Sequence, residues 1–117
     1  MKIVIDRIKN SSRELAVNVN EELTKLNSKC RNIEWKLGKR EQGNYIHAIF
    51  HFQNSDIALK AVHLLNEMQK AANHHTTFTL ENFSSLKIEL CTHQPKYGVT
   101  EVDLAFAEIF TGSVLSL

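Results

Sequence analysis

A strict alternation of side chains along residues 45–52 most constrains how this chain can fold. A period of two places alternate residues on opposite faces of a β-strand. One face would be apolar and the other mainly polar: Ile46, Ala48, Phe50 and Phe52 against Tyr45, His47, Ile49 and His51. This pattern predicts a strand whose first face lies in a core, while the second face is at least partly accessible.

Similar alternation predicts further strands. Residues 33–37 carry apolar side chains at every second position, and residues 42–44 supply turn chemistry before the next strand, so a hairpin is expected. Residues 86–90 alternate strongly and lead into Thr92 and His93. Residues 77–80 are weakly strand-like. The first residues, Ile3 to Ile5, could open one more short strand.

Three segments have helical spacing instead. Apolar residues recur at helical intervals from Leu15 to Leu26, which predicts a helix ending near Asn27, and its start is open between Ser11 and Asn20. The longest stripe predicts a helix that Asn54 or Ser55 caps: Ala58, Ala61, Val62, Leu65, Met68 and Ala72.

The last helix is predicted from its two ends. Thr100 would cap it, with Asp103 as the partner in a capping box. Its apolar stripe is Val102, Phe106, Ile109 and Phe110. Gly112 suits the end of this helix.

The predicted order is α-β-β-α-β-α, which indicates an α+β two-layer sandwich with an antiparallel sheet and helices on one face. A chain of 117 residues fits one domain, residues 1–117. The other sheet face would be solvated or would line a subunit contact. Its predicted residues are Tyr45, His47, His51, Lys87 and Glu89.

Charge and cysteine content narrow the function classes. Fourteen basic residues against thirteen acidic ones create no strong phosphate-binding field, so nucleic-acid binding is not expected. No apolar run approaches the ~18–20 residues of a membrane span, and charge interrupts the start too early for a secretion signal. Cys30 and Cys91 suit reduced thiols. We therefore expect a cytoplasmic protein without a membrane partner.

Three histidines at the ends of predicted elements are the main candidates for chemistry: His74, His75 and His93. Imidazole exchanges protons near neutral pH, so these residues could act as general acids or bases. From the residues alone, polar surface residues at element ends remain the competing interpretation. A Cys91–His93 pair is conceivable, although a buried thiol is the simpler interpretation of Cys91.

A metal site is the second possibility for chemistry, with Cys91 or Asp103 completing the histidine set. Adjacent histidines at a helix end rarely point at one ion, and no CxxC or HExxH spacing is present. We therefore predict no metal.

The motifs together resemble the pterin-4a-carbinolamine dehydratase family. That family has a paired histidine after a long helix, a strand ending in Thr-His, and a helix start of the form Gly-Leu-Thr-x-x-Asp. The matching segments are Ala72-Asn73-His74-His75, Leu86 to Leu90 with Cys91-Thr92-His93, Gly98-Val99-Thr100 and Asp103-Leu104-Ala105, with Trp35 and Phe50-His51-Phe52-Gln53-Asn54 upstream. The resemblance covers about residues 33–112, and residues 1–32 are a poorly matched N-terminal extension and helix.

The resemblance implies a hydro-lyase, 4a-hydroxytetrahydrobiopterin dehydratase, that converts a 4a-hydroxytetrahydropterin to the quinonoid dihydropterin. It needs no cofactor. His74 and His93 would transfer protons, and His75 would position the substrate. Asp103 would orient a histidine or the substrate, and Phe78 would form part of the wall around the pterin. The resemblance also implies a homodimer or homotetramer.

The chain departs from the family pattern at several positions. Thr76, Thr77 and Phe78 stand where the family usually has Pro, any residue and Trp, and Lys70 replaces an acidic residue. One extra residue falls between His75 and His93, and another falls between His93 and Asp103. The family also includes a dimerisation partner of a homeodomain transcription factor. A non-catalytic dimeric interaction module is therefore the alternative, and Lys70 favours it.

Overall fold

The computed structural model describes the backbone of residues 2–117 and the side chains of residues 5–117. It has eight elements: α1 Lys2–Lys9, α2 Val19–Ser28, β1 Lys36–Lys39, β2 Asn44–His51, α3 Ser55–Ala72, β3 Thr77–Glu81, β4 Ser85–Leu90 and α4 Glu101–Val114. The predicted α+β class and antiparallel sheet are confirmed. One helix precedes the predicted order, and the weakly strand-like segment is a full strand, β3.

The sheet has the order β1-β2-β4-β3, with every neighbouring pair antiparallel. In the central pair, Ile46 lies opposite Leu90 and Phe50 lies opposite Leu86, so the apolar parity of both strands shares one face. This face is buried beneath the helices, as predicted. The residues of the other parity are half-buried or exposed, and we call that side the open face.

Helix α3 is the longest of the described helices. Asn54 caps it by accepting a hydrogen bond from the backbone N–H of Ile57, at 3.0 Å. Its predicted stripe is buried, with Val62 alone half-buried: Ala58, Ala61, Leu65, Met68 and Ala72. The helix contacts α1, α4 and β4. The stripe therefore packs against both the sheet and the other helices, although α4 contributes more buried apolar side chains to the core than α3 does.

The N-terminal segment corrects one prediction and defines the helix start that the sequence left open. Residues 3–5 belong to helix α1 and form no strand. Ile5 and Ile8 lie one helical turn apart and are both buried, so packing against α3 and α4 overrides the local β preference. Helix α2 begins after Asn18, which accepts a hydrogen bond from the N–H of Glu21. Leu15 lies outside it and forms an isolated β-bridge with Thr100.

The predicted first strand is shorter in the structure, because β1 begins only at Lys36. The preceding residue, Trp35, is held by the side-chain amide of Asn27, which bonds both its N–H and its carbonyl oxygen, at 2.8 and 2.9 Å. The Trp35 indole donates to Thr111 Oγ1 at 3.1 Å in the core. These side-chain bonds replace the sheet pairing that the alternation predicted.

The predicted end of the last helix is also wrong. Helix α4 continues past Gly112 to Val114, because Gly112 occupies an exposed position and Val114 packs into the core. Among the described helices, none combines the length and the hydrophobicity that a membrane span requires.

Candidate functional site

The end of helix α3 separates the paired histidines. Asn73 adopts a left-handed conformation (φ 50°), and the N–H of His74 then bonds back to the carbonyl of Gln69 at 3.0 Å. The Gln69 side chain fixes Thr76 by accepting hydrogen bonds from its N–H and its hydroxyl, at 3.2 and 2.9 Å. As a result, His74 turns inward and is 5% exposed, whereas His75 faces solvent.

Asp103 meets His74 inside the protein. Its Oδ1 lies 2.7 Å from His74 Nε2, and the Asp103 side chain is fully buried. Asp103 also completes the predicted capping box, because its Oδ2 accepts from the backbone N–H of Thr100 at 2.9 Å. The cap of helix α4 therefore holds the carboxylate in place against the imidazole.

Thr92 links this pair to the end of strand β4. Its hydroxyl donates to Asp103 Oδ2 at 2.9 Å and lies 2.8 Å from the hydroxyl of Thr100. Paired backbone hydrogen bonds with Gly98 hold Thr92 in place, at 2.8 and 2.9 Å. The next residue, His93, is exposed. Buried hydrogen bonds thus join His74, through Asp103, to Thr92, the residue directly before His93.

The strand register places the remaining candidates. Thr77 lies opposite Glu89, so the segment before β3 runs beside the segment after β4. His75 and His93 therefore lie at the same end of the sheet. Phe78 lies opposite Ile88 on the helix-covered face and is 38% exposed at the sheet edge. In the described hydrogen-bond network His74 joins Asp103, and neither His75 nor Phe78 takes part.

His93 has its own surroundings on the open face. Its Nε2 lies 3.6 Å from Cys91 Sγ, so the conceivable Cys–His pair does form a contact. Burial raises the pKa of the Cys91 thiol, which keeps it protonated near neutral pH. The ring of Tyr97 packs edge-on against the imidazole, with centroids 5.0 Å apart.

Two residues near His93 were missed by the sequence analysis, Tyr97 and Arg40. Arg40 Nη1 donates to the Tyr97 hydroxyl at 3.2 Å, and its Nη2 donates to Glu89. Tyr97 lies in the loop between His93 and Thr100, so its position between residues of the family motif could have identified it from the sequence. Arg40 is far away in sequence, and only the strand pairing brings it near.

Two further observations bear on the alternative interpretations: one concerns Lys70 and the other concerns a metal site. The Lys70 side chain is exposed on α3, with its Nζ 3.8 Å from Glu67 Oε1. His74 and His75 diverge, and His74 Nε2 is already paired with Asp103. Among the residues that the structure describes, no group of three His, Cys, Asp or Glu side chains is arranged to hold a metal ion. That the site works without metal stays a prediction.

The comparisons with known proteins identify the family of the chain. The family model described as pterin 4 alpha carbinolamine dehydratase matches residues 16–111, which is most of the chain. The chain belongs to this family. The match begins within the segment before α2, upstream of the region on which the resemblance rested.

A solved structure shows the same fold. It is the crystal structure of a transcriptional coactivator/pterin dehydratase from Brucella melitensis, with a TM-score of 0.66 and 20% identity. The similarity covers 88% of this chain and 98% of that one. No curated protein sequence matches the chain significantly.

Proposed function

We propose that this protein dehydrates a 4a-hydroxytetrahydropterin to the quinonoid dihydropterin. In this reaction the C4a–O bond breaks, the N5–H proton leaves and a C=N bond forms, with release of one water. The observation that carries the proposal is the 2.7 Å contact between His74 Nε2 and Asp103 Oδ1, in a chain of this family. A buried carboxylate of this kind orients an imidazole for proton transfer.

His74 is the better base of the proposed proton-transfer pair. With its Nε2–H donated to Asp103, a neutral His74 carries its lone pair on Nδ1. It would take the N5 proton there, and the Asp103 carboxylate would stabilise the imidazolium that forms.

His93 would then be the general acid that protonates the C4a oxygen, since hydroxide is a poor leaving group. It is exposed at the end of β4, where a substrate can reach it. His75 would position the pterin, and Phe78, at the sheet edge, would supply part of the wall for its flat ring.

We further propose that the chain acts as one domain, residues 1–117, in a cytoplasmic homodimer or homotetramer. The open face and the edge strands β1 and β3 offer surfaces for self-association. Sedimentation velocity at micromolar concentration should give a species of two or four copies. A strictly monomeric species would contradict this assembly.

A second candidate is a non-catalytic dimeric interaction module, a cofactor of a transcription factor or another protein. Lys70 favours it, because a cation replaces the family's acidic residue one helical turn before His74. The similar Brucella melitensis protein is described as both coactivator and dehydratase. The two candidates differ in whether purified protein turns over a pterin.

The deciding measurement is the dehydration rate of a 4a-hydroxytetrahydropterin, followed by absorbance, against the spontaneous rate. We expect wild-type protein to exceed the spontaneous rate. The Lys70→Glu variant should be faster still if loss of the acidic residue weakens the site, and Lys60→Glu, another exposed lysine of α3, is the matched control. No turnover by wild type or by Lys70→Glu would favour the interaction module.

A further inference from the structure

A row of side chains crosses the open face and ends at His93. The rings of His47 and Tyr45 lie 5.5 Å apart. The Arg40 guanidinium lies 3.9 Å above the Tyr45 ring, in a cation–π contact. Arg40 also reaches Tyr97, whose ring meets His93. Residues from the first hairpin are thereby connected to a candidate catalytic imidazole.

Arg40 is held at both ends of its guanidinium group. One nitrogen donates to the Tyr97 hydroxyl and the other to Glu89, and the Glu89 side chain is only 16% exposed. We call Arg40 and Glu89 the Arg40 clamp. Since Glu89 neutralises the guanidinium and both of its terminal nitrogens donate to protein groups, the clamp is better suited to holding Tyr97 than to binding an anion.

The hairpin turn also supports Tyr97. Gly43 has a φ of 154°, in a region that favours glycine, and it packs directly against the loop. A Cβ at Gly43 would lie 2.7 Å from the Tyr97 carbonyl oxygen and 2.9 Å from its ring atom Cδ1. Tyr97 is therefore fixed by the turn on one side and by Arg40 at its hydroxyl.

His93 is exposed, so without contacts to its neighbours its side chain would be free to change rotamer. Its ring lies beside Cys91 Sγ and against the edge-on ring of Tyr97. We propose that Tyr97, held by the Arg40 clamp, is a positioning residue that fixes the His93 imidazole for proton transfer. This inference rests on the proposed function. It predicts that the ring of Tyr97, more than its hydroxyl, determines the orientation of His93.

Graded variants separate the ring from the hydroxyl. Tyr97→Leu removes the ring and should lower kcat by about 10–100-fold while leaving KM nearly unchanged, since misplaced catalytic groups cost rates of this order. Tyr97→Phe keeps the ring and should retain most of the activity. Arg40→Gln removes the guanidinium that holds Tyr97, and the Arg40 side chain is partly exposed, so the fold should tolerate the change. The kcat of this variant should lie between those of Tyr97→Leu and Tyr97→Phe. Lys39→Ala, the exposed neighbouring cation, is the control.

A second readout is independent of turnover. The side-chain NMR signals of His93, assigned by comparison with His93→Ala, should carry a ring-current shift from Tyr97. This shift should be lost in Tyr97→Leu and kept in Tyr97→Phe and Lys39→Ala. Should Tyr97→Leu fail to fold, Arg40→Gln provides the same comparison through a smaller change in the His93 signals.

The outcomes distinguish the two proposals. An unchanged His93 signal in Tyr97→Leu would overturn the positioning role, whether or not the protein is an enzyme. Unchanged kcat in a folded Tyr97→Leu variant, with an active wild type, would also overturn it. An inactive wild type would defeat the proposed function, and the positioning role in catalysis would fail with it, even if the NMR shift showed that Tyr97 fixes the ring.

Discussion

Replacing His93 with alanine is expected to lower kcat for pterin dehydration by about 10²–10⁴-fold, the usual contribution of a general acid or base. The side chain is exposed, so its loss should leave the fold intact. Steady-state kinetics and thermal denaturation of the same preparation would measure both effects. His63→Ala, an exposed histidine on helix α3, is the matched control and should keep wild-type activity.

Substitution of His74, the buried member of the proposed proton-transfer pair, should also lower activity. His74→Gln should lower kcat over the same range, and His75→Ala should act mainly on KM if His75 positions the substrate. Because His74 pairs with the buried Asp103, its substitution can also destabilise the fold. Thermal denaturation of the variant should therefore be measured with its kinetics, to separate lost catalysis from lost folding. Wild-type kcat in both His93→Ala and a folded His74→Gln would contradict the proposed proton-transfer pair.

Leu65→Ala is expected to lower the free energy of unfolding by about 2–5 kcal/mol, as large-to-small substitutions in a packed core do. Leu65 is 0% exposed in the middle of α3, where the helix packs against the sheet and α4. The loss is a large fraction of the ~5–15 kcal/mol that stabilises an ordinary domain. Urea denaturation followed by circular dichroism would measure it.

The same substitution on the exposed side of α3 provides the comparison. Leu59 is 55% exposed, so Leu59→Ala should change stability by no more than about 0.5 kcal/mol. An equal effect of the two substitutions would mean that the buried stripe of α3 has been assigned to the wrong face.

Much of the fold follows from local patterns. The alternation in residues 45–52 and 86–90 correctly identifies the buried face of the central strands, because a strand with one buried face must repeat every two residues. Thr100 and Asp103 likewise identify the start of α4, since a capping box involves only neighbouring residues.

The incorrect predictions share a cause. Residues 3–5 are β-branched yet helical, because Ile5 and the following Ile8 are buried where α1 packs on α3 and α4. Residues 33–35 alternate yet stay outside the sheet, because Asn27 bonds the backbone of Trp35. In both cases a partner outside the segment determines the local structure, and no pattern within the segment reports that partner.

The same distinction holds at the site. The family could be recognised and His74, His75, His93 and Asp103 could be chosen as candidates from the sequence, because a short motif keeps its residue types and spacing along the chain. Only the tertiary structure decided that His74 is buried against Asp103, that His75 faces solvent and that Arg40 reaches the loop of His93. These contacts join segments that are separate in the chain, and they exist only once the sheet and helices have packed.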